Sequence, residues 1–324
     1  MRKVLHSLRG AIAAASFALT PALADSYPTR PITLVVAFTP GGPSDILARI
    51  VGQKIAEILD QTVIVENKPG AGGNVAATAV ARATPDGYTL LVGNNSILAT
   101  NTALYSHVSF DVEKDFIPIS LIGSQANILV VNPKLPVKSM TELIALAKAS
   151  PGKLSYSSSG YGAAAHLSGE LFKSDAHVQI VHVPFKGAAP ALQELVAGRV
   201  DLMFATTASV APFITSGTLR ALAVTTLTRV PAFPDLPTMD QAGLKGFEAT
   251  TWHGLVAPAG TPPEIITKLN AVVVKALKDD KVRERLTGLG VEIVGSTQQE
   301  FAAYIKSETP KWTALVRSLG AKID

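Results

Sequence analysis

The chain has 324 residues, 29 Lys plus Arg against 25 Asp plus Glu, and no cysteine. Without cysteine there are no disulfides, no thiolate-ligated zinc and no thiol nucleophile. The near balance of charge excludes the general field that nucleic acid or an anionic membrane surface requires.

The first predicted element is a leader. MRKVLHSLRG carries Arg2, Lys3 and Arg9, AIAAASFALTPALA is a short apolar run, and Ala22-Leu23-Ala24 has the small-x-small pattern of a cleavage site. Residues 1–24 read as a cleaved secretory signal peptide, too short and wrongly flanked for a membrane span. Three of the 29 basic residues lie in it, so residues 25–324 would carry 26 basic against 25 acidic groups. No later apolar run reaches spanning length without a charge or a proline, and the mature chain reads as a soluble exported protein stabilised by its core.

Strands and helices then alternate. ITLVVAF (32–38) is continuously apolar but for one threonine, as in a strand buried on both faces. Ile46, Leu47, Ile50, Val51, Ile55, Ile58 and Leu59 recur at helical spacing after it. TVIVE (62–66), NVAATAVARA (74–83) and YTLLVG (88–93) predict strand, helix and strand. Later units are ILVVN (128–132) with SMTELIALAKA, LSYSS (154–158) with a helix from about Ala163, and VQIVHV (178–183) with a helix to Ala197. The strands VDLMFA (200–205) and LRALAVT (219–225) follow. Ser139-x-x-Glu142 is a capping box. Thr261-Pro262-Pro263-Glu264 places a cap residue, a first-turn proline and an acid before EIITKLNAVVVKAL. A last helical stretch covers QEFAAYIK and WTALVRSL, and both C-terminal helices are too apolar on one face to stand alone.

This rhythm predicts an α/β chain of parallel sheets flanked by helices. It falters over Phe110–Gln125 and Pro231–Thr251, which places two crossings between lobes near Gln125-Ala126-Asn127 and Glu248-Ala249-Thr250. Lobe 1 is expected to hold residues 25–125 plus 252–324, and lobe 2 residues 126–251.

Ligands of open parallel sheets sit beyond the carboxyl ends of the strands. Four such ends are rich in small and polar residues: TPGGPSD (39–45), GNNS (93–96), SSSGYGAAAH (157–166) and PFKG (184–187). Gly160-Tyr161-Gly162-Ala163-Ala164-Ala165 matches the G-x-G-x-x-A dinucleotide pattern, but the next strand ends in Val183-Pro184-Phe185, with no acid for a ribose hydroxyl. What remains is a glycine-rich turn that leaves helix N–H groups free for an anion. TPGGPSD lacks the lysine of a phosphate loop, so the anion would be held by backbone amides, hydroxyls and water. Asp45 is read first as a helix-start acid and second as a ligand contact; either way it would shape the turn. His166, His253 and Lys186 each have a structural or surface reading beside a functional one. No G-x-S-x-G elbow, H-E-x-x-H or carboxylate cluster is present, so neither a catalytic site nor a metal site is expected.

FTPGGPSDILAR, VENKPGAGGNVAA, ATPDGYTLLVGN, LSYSSSGYGAAAHLSGELFK, VHVPFKGAAPAL, LRALAVTT, LPTMDQAG and GLVAPAGTPPEIITKLN, in this order, resemble the Bug family. These are extracytoplasmic receptors of tripartite tricarboxylate transporters, and the resemblance covers the whole mature chain. It implies a two-lobed periplasmic-binding-protein fold of type II, each lobe a mainly parallel sheet flanked by helices, with the ligand cleft between. It implies that Thr39–Asp45 and Ser157–Ala163 grip one carboxylate through backbone groups and ordered water. The contacts expected near that head are Phe38, Thr39, Pro40, Gly41, Gly42 and Asp45, with Ser158, Ser159, Gly160, Gly162, Ala163 and His166 opposite. Asn95, Ser96, Lys186, Thr206 and His253 map to the far end of the ligand. After VDLMF the family often has an acidic or amide residue where this chain has Ala205-Thr206-Thr207, which disfavours amino acids and leaves plain or aromatic carboxylates.

The resemblance thus implies a periplasmic receptor for a small mono-, di- or aromatic carboxylate. It would work as a monomer, without cofactor or nucleic acid, and deliver to the membrane subunits of a transporter. The alternatives are the ligand-binding subunit of a sensor pathway and a secreted hydrolase using Ser158 or His166.

Overall fold

The computed structural model describes residues 27–318; the expected leader lies outside them. The chain begins with β1 (Ile32–Val36), α1 (Pro43–Leu59), β2 (Val63–Asn67), α2 (Asn74–Ala81) and β3 (Thr89–Asn94). Two short helices follow, α3 (Asn101–Leu104) and α4 (Val112–Asp115), before the long strand β4 (Phe116–Val131). The middle comprises α5 (Met140–Ala149), β5 (Ser155–Ser158), α6 (Ala164–Ala176), β6 (Val181–Pro184), α7 (Ala188–Ala197), β7 (Leu202–Thr206), α8 (Thr207–Thr215) and β8 (Arg220–Val224). The chain ends with β9 (Thr250–Pro258), α9 (Pro263–Leu277), α10 (Asp280–Gly288), β10 (Val291–Ile293) and α11 (Gln298–Ser318).

The strands form two parallel triplets, β2-β1-β3 and β6-β5-β7, joined through β9 and β4 in the order β2-β1-β3-β9-β4-β7-β5-β6. The pairings of β4 and β9 are all antiparallel. Phe116–Ala126 of β4 pairs with β9, whereas Asn127–Val131 pairs with β7 and β8. One strand therefore serves both halves of the molecule, in the segment where the sequence had lost its rhythm. Pro118, Ser120, Gly123 and Gln125 break the apolar run there, and the register shifts twice against β9.

One cluster of the core runs through both halves, joining Val35 and Leu91 to Leu129, Tyr156 and Phe204 and to Phe301 and Trp312 of α11. A second packs Ile32, Leu34 and Val36 of β1 against Leu47 and Val51 of α1 and Leu269 and Val273 of α9, which sets α9 against the first strands. A separate cluster in the middle joins Ile128 and Val130 of β4 to Leu192 and Leu195 of α7 and Val210 of α8. The end of α11 is fixed by Glu308, whose carboxylate accepts the indole N–H of Trp252 at 3.1 Å and of Trp312 at 2.9 Å. Gly254 makes this packing possible, since a Cβ there would lie 2.1 Å from the Phe301 ring.

Some helix starts follow local chemistry. Ser139 caps α5 by accepting the Glu142 N–H, and the Glu142 carboxylate accepts the Lys138 N–H. The cap expected at Thr261 is displaced by one residue. Its hydroxyl donates to the Pro258 carbonyl, while Pro262 takes the cap position and Pro263 starts α9.

Candidate functional site

Four helices begin at the same place. The N-cap positions of α1, α6, α7 and α8 are Gly42, Ala163, Gly187 and Thr206, and none receives a side-chain cap. Pro43 and Ser44 of α1, Ala164 and Ala165 of α6, Ala188 of α7 and Ser209 of α8 line one chamber. The first-turn N–H groups of these helices have no intrahelical partner, and each helix start carries roughly half a positive charge. The chamber has a volume of about 80 Å³ measured to the centres of water-sized spheres. A single water needs about 10–15 Å³ on that measure, so several waters or a small acid fit.

None of the twenty residues lining the chamber is Asp, Glu, Lys or Arg. One wall is neutral and polar. There Asn127 Oδ1 accepts the Thr251 hydroxyl at 3.2 Å, Asn94 Oδ1 accepts the Ile97 N–H, and the Thr206 and Ser209 hydroxyls pair at 2.8 Å. His253 is 1% exposed and its Nε2 lies 2.9 Å from the Ser44 hydroxyl, while Nδ1 has no protein partner. Burial pushes its pKa down to about 4, so the ring is neutral at pH 7. The other wall is apolar, formed by Phe38, Met203, Phe204 and Ala205 with the alanines of α6.

A second compartment of about 440 Å³ shares Phe38, Thr39, Ser159, Ala163 and Gly187 with the first. Its further walls include Pro69 to Gly73, Gly160, Tyr161, Phe185 and Lys186, and Lys186 is the only charged residue among them.

Each glycine-rich turn has its own support. Behind the first, the Asp45 carboxylate accepts the Gly41 N–H at 2.9 Å, Asn67 Nδ2 at 3.0 Å and the Arg49 guanidinium. Burial alone would raise its pKa, but the bonds from Arg49, Gly41 and Asn67 outweigh that and hold it below the usual carboxylate value. Behind the second turn, His166 Nδ1 accepts the Gly162 N–H at 3.1 Å, and His182 Nε2 lies 2.7 Å from the Ser158 hydroxyl. The two imidazoles are in contact, with centroids 4.3 Å apart and ring planes tilted by 34°. Burial pushes His166 down to about 4 and His182 to about 3. Both are neutral, as the acceptor role of His166 requires.

Of the residues expected at the ligand, Phe38, Thr39, Gly42, Ser159, Ala163, Thr206 and His253 line the chamber. Gly160 and Lys186 line the side compartment. Pro40 and Gly41 lie on the outer side of the first turn, in a third hollow against α7. Asp45, Ser158 and His166 sit behind the turns. Gly162 packs against Asn101 and Leu104. Asn95 and Ser96 are fully buried at the end of β3, with unpaired side-chain polar atoms, and are not among the lining residues. The sequence reading did not name Asn94, Asn127, Thr251, Ser209 and Gly187 as ligand contacts, nor His182 as a support. Asn94 stands inside the singled-out GNNS stretch, Gly187 inside PFKG and Ser44 inside TPGGPSD, and Asn127 was marked only as part of a lobe crossing; nothing local marks His182.

A two-lobed α/β chain whose helix starts converge on an uncharged chamber is a solute-binding protein of the periplasmic type. More narrowly, the chain belongs to the tripartite tricarboxylate transporter receptor family (TctC), whose model matches residues 47–321, in agreement with the resemblance to Bug proteins. It is 37% identical to the protein BugT of Bordetella pertussis over 324 residues, covering 100% of this chain and 99% of that one. A Rhodopseudomonas palustris protein solved with adipate superposes with a TM-score of 0.87 at 39% identity, over 92% of this chain and 100% of the other. MatC from the same species, with bound malate, gives 0.84 at 36% identity over 90% and 100%. The periplasmic binding protein BugD gives 0.85 at 38% identity over 91% and 99%.

Proposed function

We propose that this chain is a periplasmic receptor that captures a small organic carboxylate and passes it to the membrane subunits of a tripartite tricarboxylate-type transporter. The observation that carries the reading is the set of four uncapped helix starts around a chamber without a charged side chain. Such a site holds an anion through main-chain donors and fixed dipoles and needs no cationic side chain. The relatives with adipate and malate support a carboxylate as the anion.

Residues 126–251 would move as one lobe against the rest, with the hinge where β4 passes from one half to the other. Asn127 sits at that point. Its backbone N–H donates to the Thr225 hydroxyl, its Nδ2 to the Ala249 carbonyl, and its Oδ1 accepts from Thr251. Ligand contacts from both lobes exist together only in the shut state, so the ligand selects closure.

The Ser158–His182 pair raises hydrolysis as a second reading, because a serine next to a histidine is the start of a nucleophile relay. Against it, neither residue lines the chamber, the Ser158 hydroxyl also bonds both backbone groups of Gly160, and His182 Nδ1 has no orienting partner. The pair reads as a brace for the loop.

Native mass spectrometry and thermal shift across mono-, di- and aromatic carboxylates test the receptor reading. A bound acid and a rise in Tm are expected. No response to any carboxylate, or turnover of small esters at Ser158, would overturn it. Capture of transporter subunits from detergent-solubilised membranes by the liganded protein checks delivery.

A further inference from the structure

Two titratable rings stand outside the ligand chamber, His166 on α6 and His182 on β6, and each is bonded to the second glycine-rich turn. His166 Nδ1 accepts the Gly162 N–H, and His182 Nε2 meets the Ser158 hydroxyl, whose oxygen accepts the Gly160 N–H. Tyr161 sets its ring edge-on to both, with centroids 5.5 Å from His166 and 5.0 Å from His182, and Tyr156 of β5 stacks on His182 at 4.8 Å. The turn is itself pressed against the opposite lobe. Gly162 meets Asn101 and Leu104 of α3, and a Cβ added at Gly72 would lie 3.2 Å from the Tyr161 carbonyl oxygen.

The charges that bear on the rings are Lys173 and Glu170 of α6, paired with each other at 2.7 Å, and the Tyr156 hydroxyl donates to Glu170 at 2.6 Å. β7 has no ionisable side chain within Leu202–Thr206. Tyr304 and Glu308 of α11, which also packs on α6, are engaged with Trp252. The opposite lobe brings Tyr105, whose hydroxyl faces Gly72.

Resting on the carboxylate-receptor reading, we propose that His166 and His182 are positioning residues of the second turn that work only as a neutral pair, so that closure on the ligand expels protons and acid weakens binding. An imidazolium carries an N–H on both nitrogens. At His166 that would set an N–H against the Gly162 N–H and remove the bond that shapes the turn. At His182 it would place an N–H at Nδ1, which is enclosed without a partner. With centroids 4.3 Å apart, a charge on either ring also opposes a charge on the other.

In the shut form, burial pushes His166 down to about 4. Parting the lobes takes Gly72, Asn101 and Leu104 away from the turn that covers the rings, so the open form takes up a proton closer to the ordinary histidine value of about 6.5. Affinity is therefore complete above about pH 6.5 and is lost as pH falls toward 4.

Asparagine separates the proton from the shape, because its side-chain oxygen can take the place of Nδ1 as acceptor and does not titrate. Malate, adipate and benzoate are the probes, titrated by calorimetry into variants shown to be folded by their Tm. Between pH 7.5 and pH 5 the unsubstituted protein should lose at least about five-fold more affinity than His166→Asn, since the titration of the acid and of His253 is common to both. Parallel profiles would overturn the proposal. At pH 7.5 His166→Phe, which offers Gly162 no acceptor, should bind about ten-fold more weakly, and His166→Asn should recover most of that loss. Equal weakness in the two folded variants would overturn the positioning role.

The unsubstituted protein gives an independent reading. At pH 6 each acid that binds should release about a third of a proton or more beyond the acid's own share, read from the dependence of the binding heat on the ionisation enthalpy of the buffer. Binding without that release would overturn the proposal and leave the carboxylate receptor intact. Silence from all three acids at pH 7.5 would instead count against the carboxylate reading, and this inference falls with it.

Discussion

Closure can be tested at Gly162. Its φ of +74° is left-handed, and an added Cβ would lie 2.8 Å from Leu104 Cδ2 and 2.9 Å from Asn101 Oδ1. Neither neighbour can swing aside: Leu104 is 2% and Asn101 0% exposed, and Asn101 Nδ2 is tied to the Gly72 carbonyl and to Asn74. Gly162→Ala therefore carries two separable costs. The backbone strain, about 1 kcal/mol, acts in the open and the shut protein alike. The collision with Asn101 and Leu104, about 1–3 kcal/mol, acts only when the lobes meet. Apparent affinity follows the shut fraction, so the ligand should bind about 5- to 150-fold more weakly. Gly152→Ala is the control, because its φ is +72° and nothing lies within 4 Å of the added atom. Calorimetry with a bound carboxylate, together with Tm, separates the terms. Both variants should lose a few degrees, about 2–4 °C per kcal/mol, but only Gly162→Ala should lose affinity. Equal affinities in the two variants would refute the idea that this contact forms on closure.

Acid should destabilise the protein from the interior. His166, His182 and His253 have native pKa values depressed to about 4, 3 and 4, so below pH 6.5 the unfolded chain takes up protons that the native state refuses. Their contribution is complete above about pH 6.5 and is lost as pH falls toward 4, at up to about 1.4 kcal/mol per unit for each ring. Tm measured from pH 7 to pH 4 should drop steadily, and a flat profile would refute neutral burial. Asp45→Ala strands the Gly41 N–H and frees Arg49 and Asn67, so ligand affinity should fall about ten-fold through disorder of the first turn; a rise would mean that the carboxylate opposes the ligand. Glu308→Ala leaves two indole N–H groups without their acceptor and should lower stability by about 2–4 kcal/mol in urea unfolding, with carboxylate binding unchanged in the folded fraction.

Much of this was legible locally. The apolar run of β1, the helical spacing through α1 and the glycines of both turns each specify a conformation within a few residues. The absence of a lysine in TPGGPSD directed attention to main-chain donors. Where the sequence reading stopped short, the cause was competition between local and distant terms. FIPISLIGSQANILVV looks interrupted because its proline, glycine and glutamine suit neither a buried strand nor a helix. It becomes one strand because β9, β7, β8 and β10 satisfy its backbone from all sides. Helix α8 was hidden by Pro212, although its start contributes one of the four helix ends at the chamber. His166, which had a functional reading in the sequence, turns inward to hold Gly162, with the His182 ring tilted against it from β6.

The sequence by itself determined the α/β rhythm, the glycine-rich turns and the family, because strand burial, helix periodicity and turn geometry are properties of neighbouring residues. Only the tertiary structure decided which turns share a chamber, that four helix starts meet there, and that no Asp, Glu, Lys or Arg lines it. Those facts depend on where distant segments come to rest. A side chain's charge is written in the sequence, but whether it faces the ligand or the protein behind it is decided by packing.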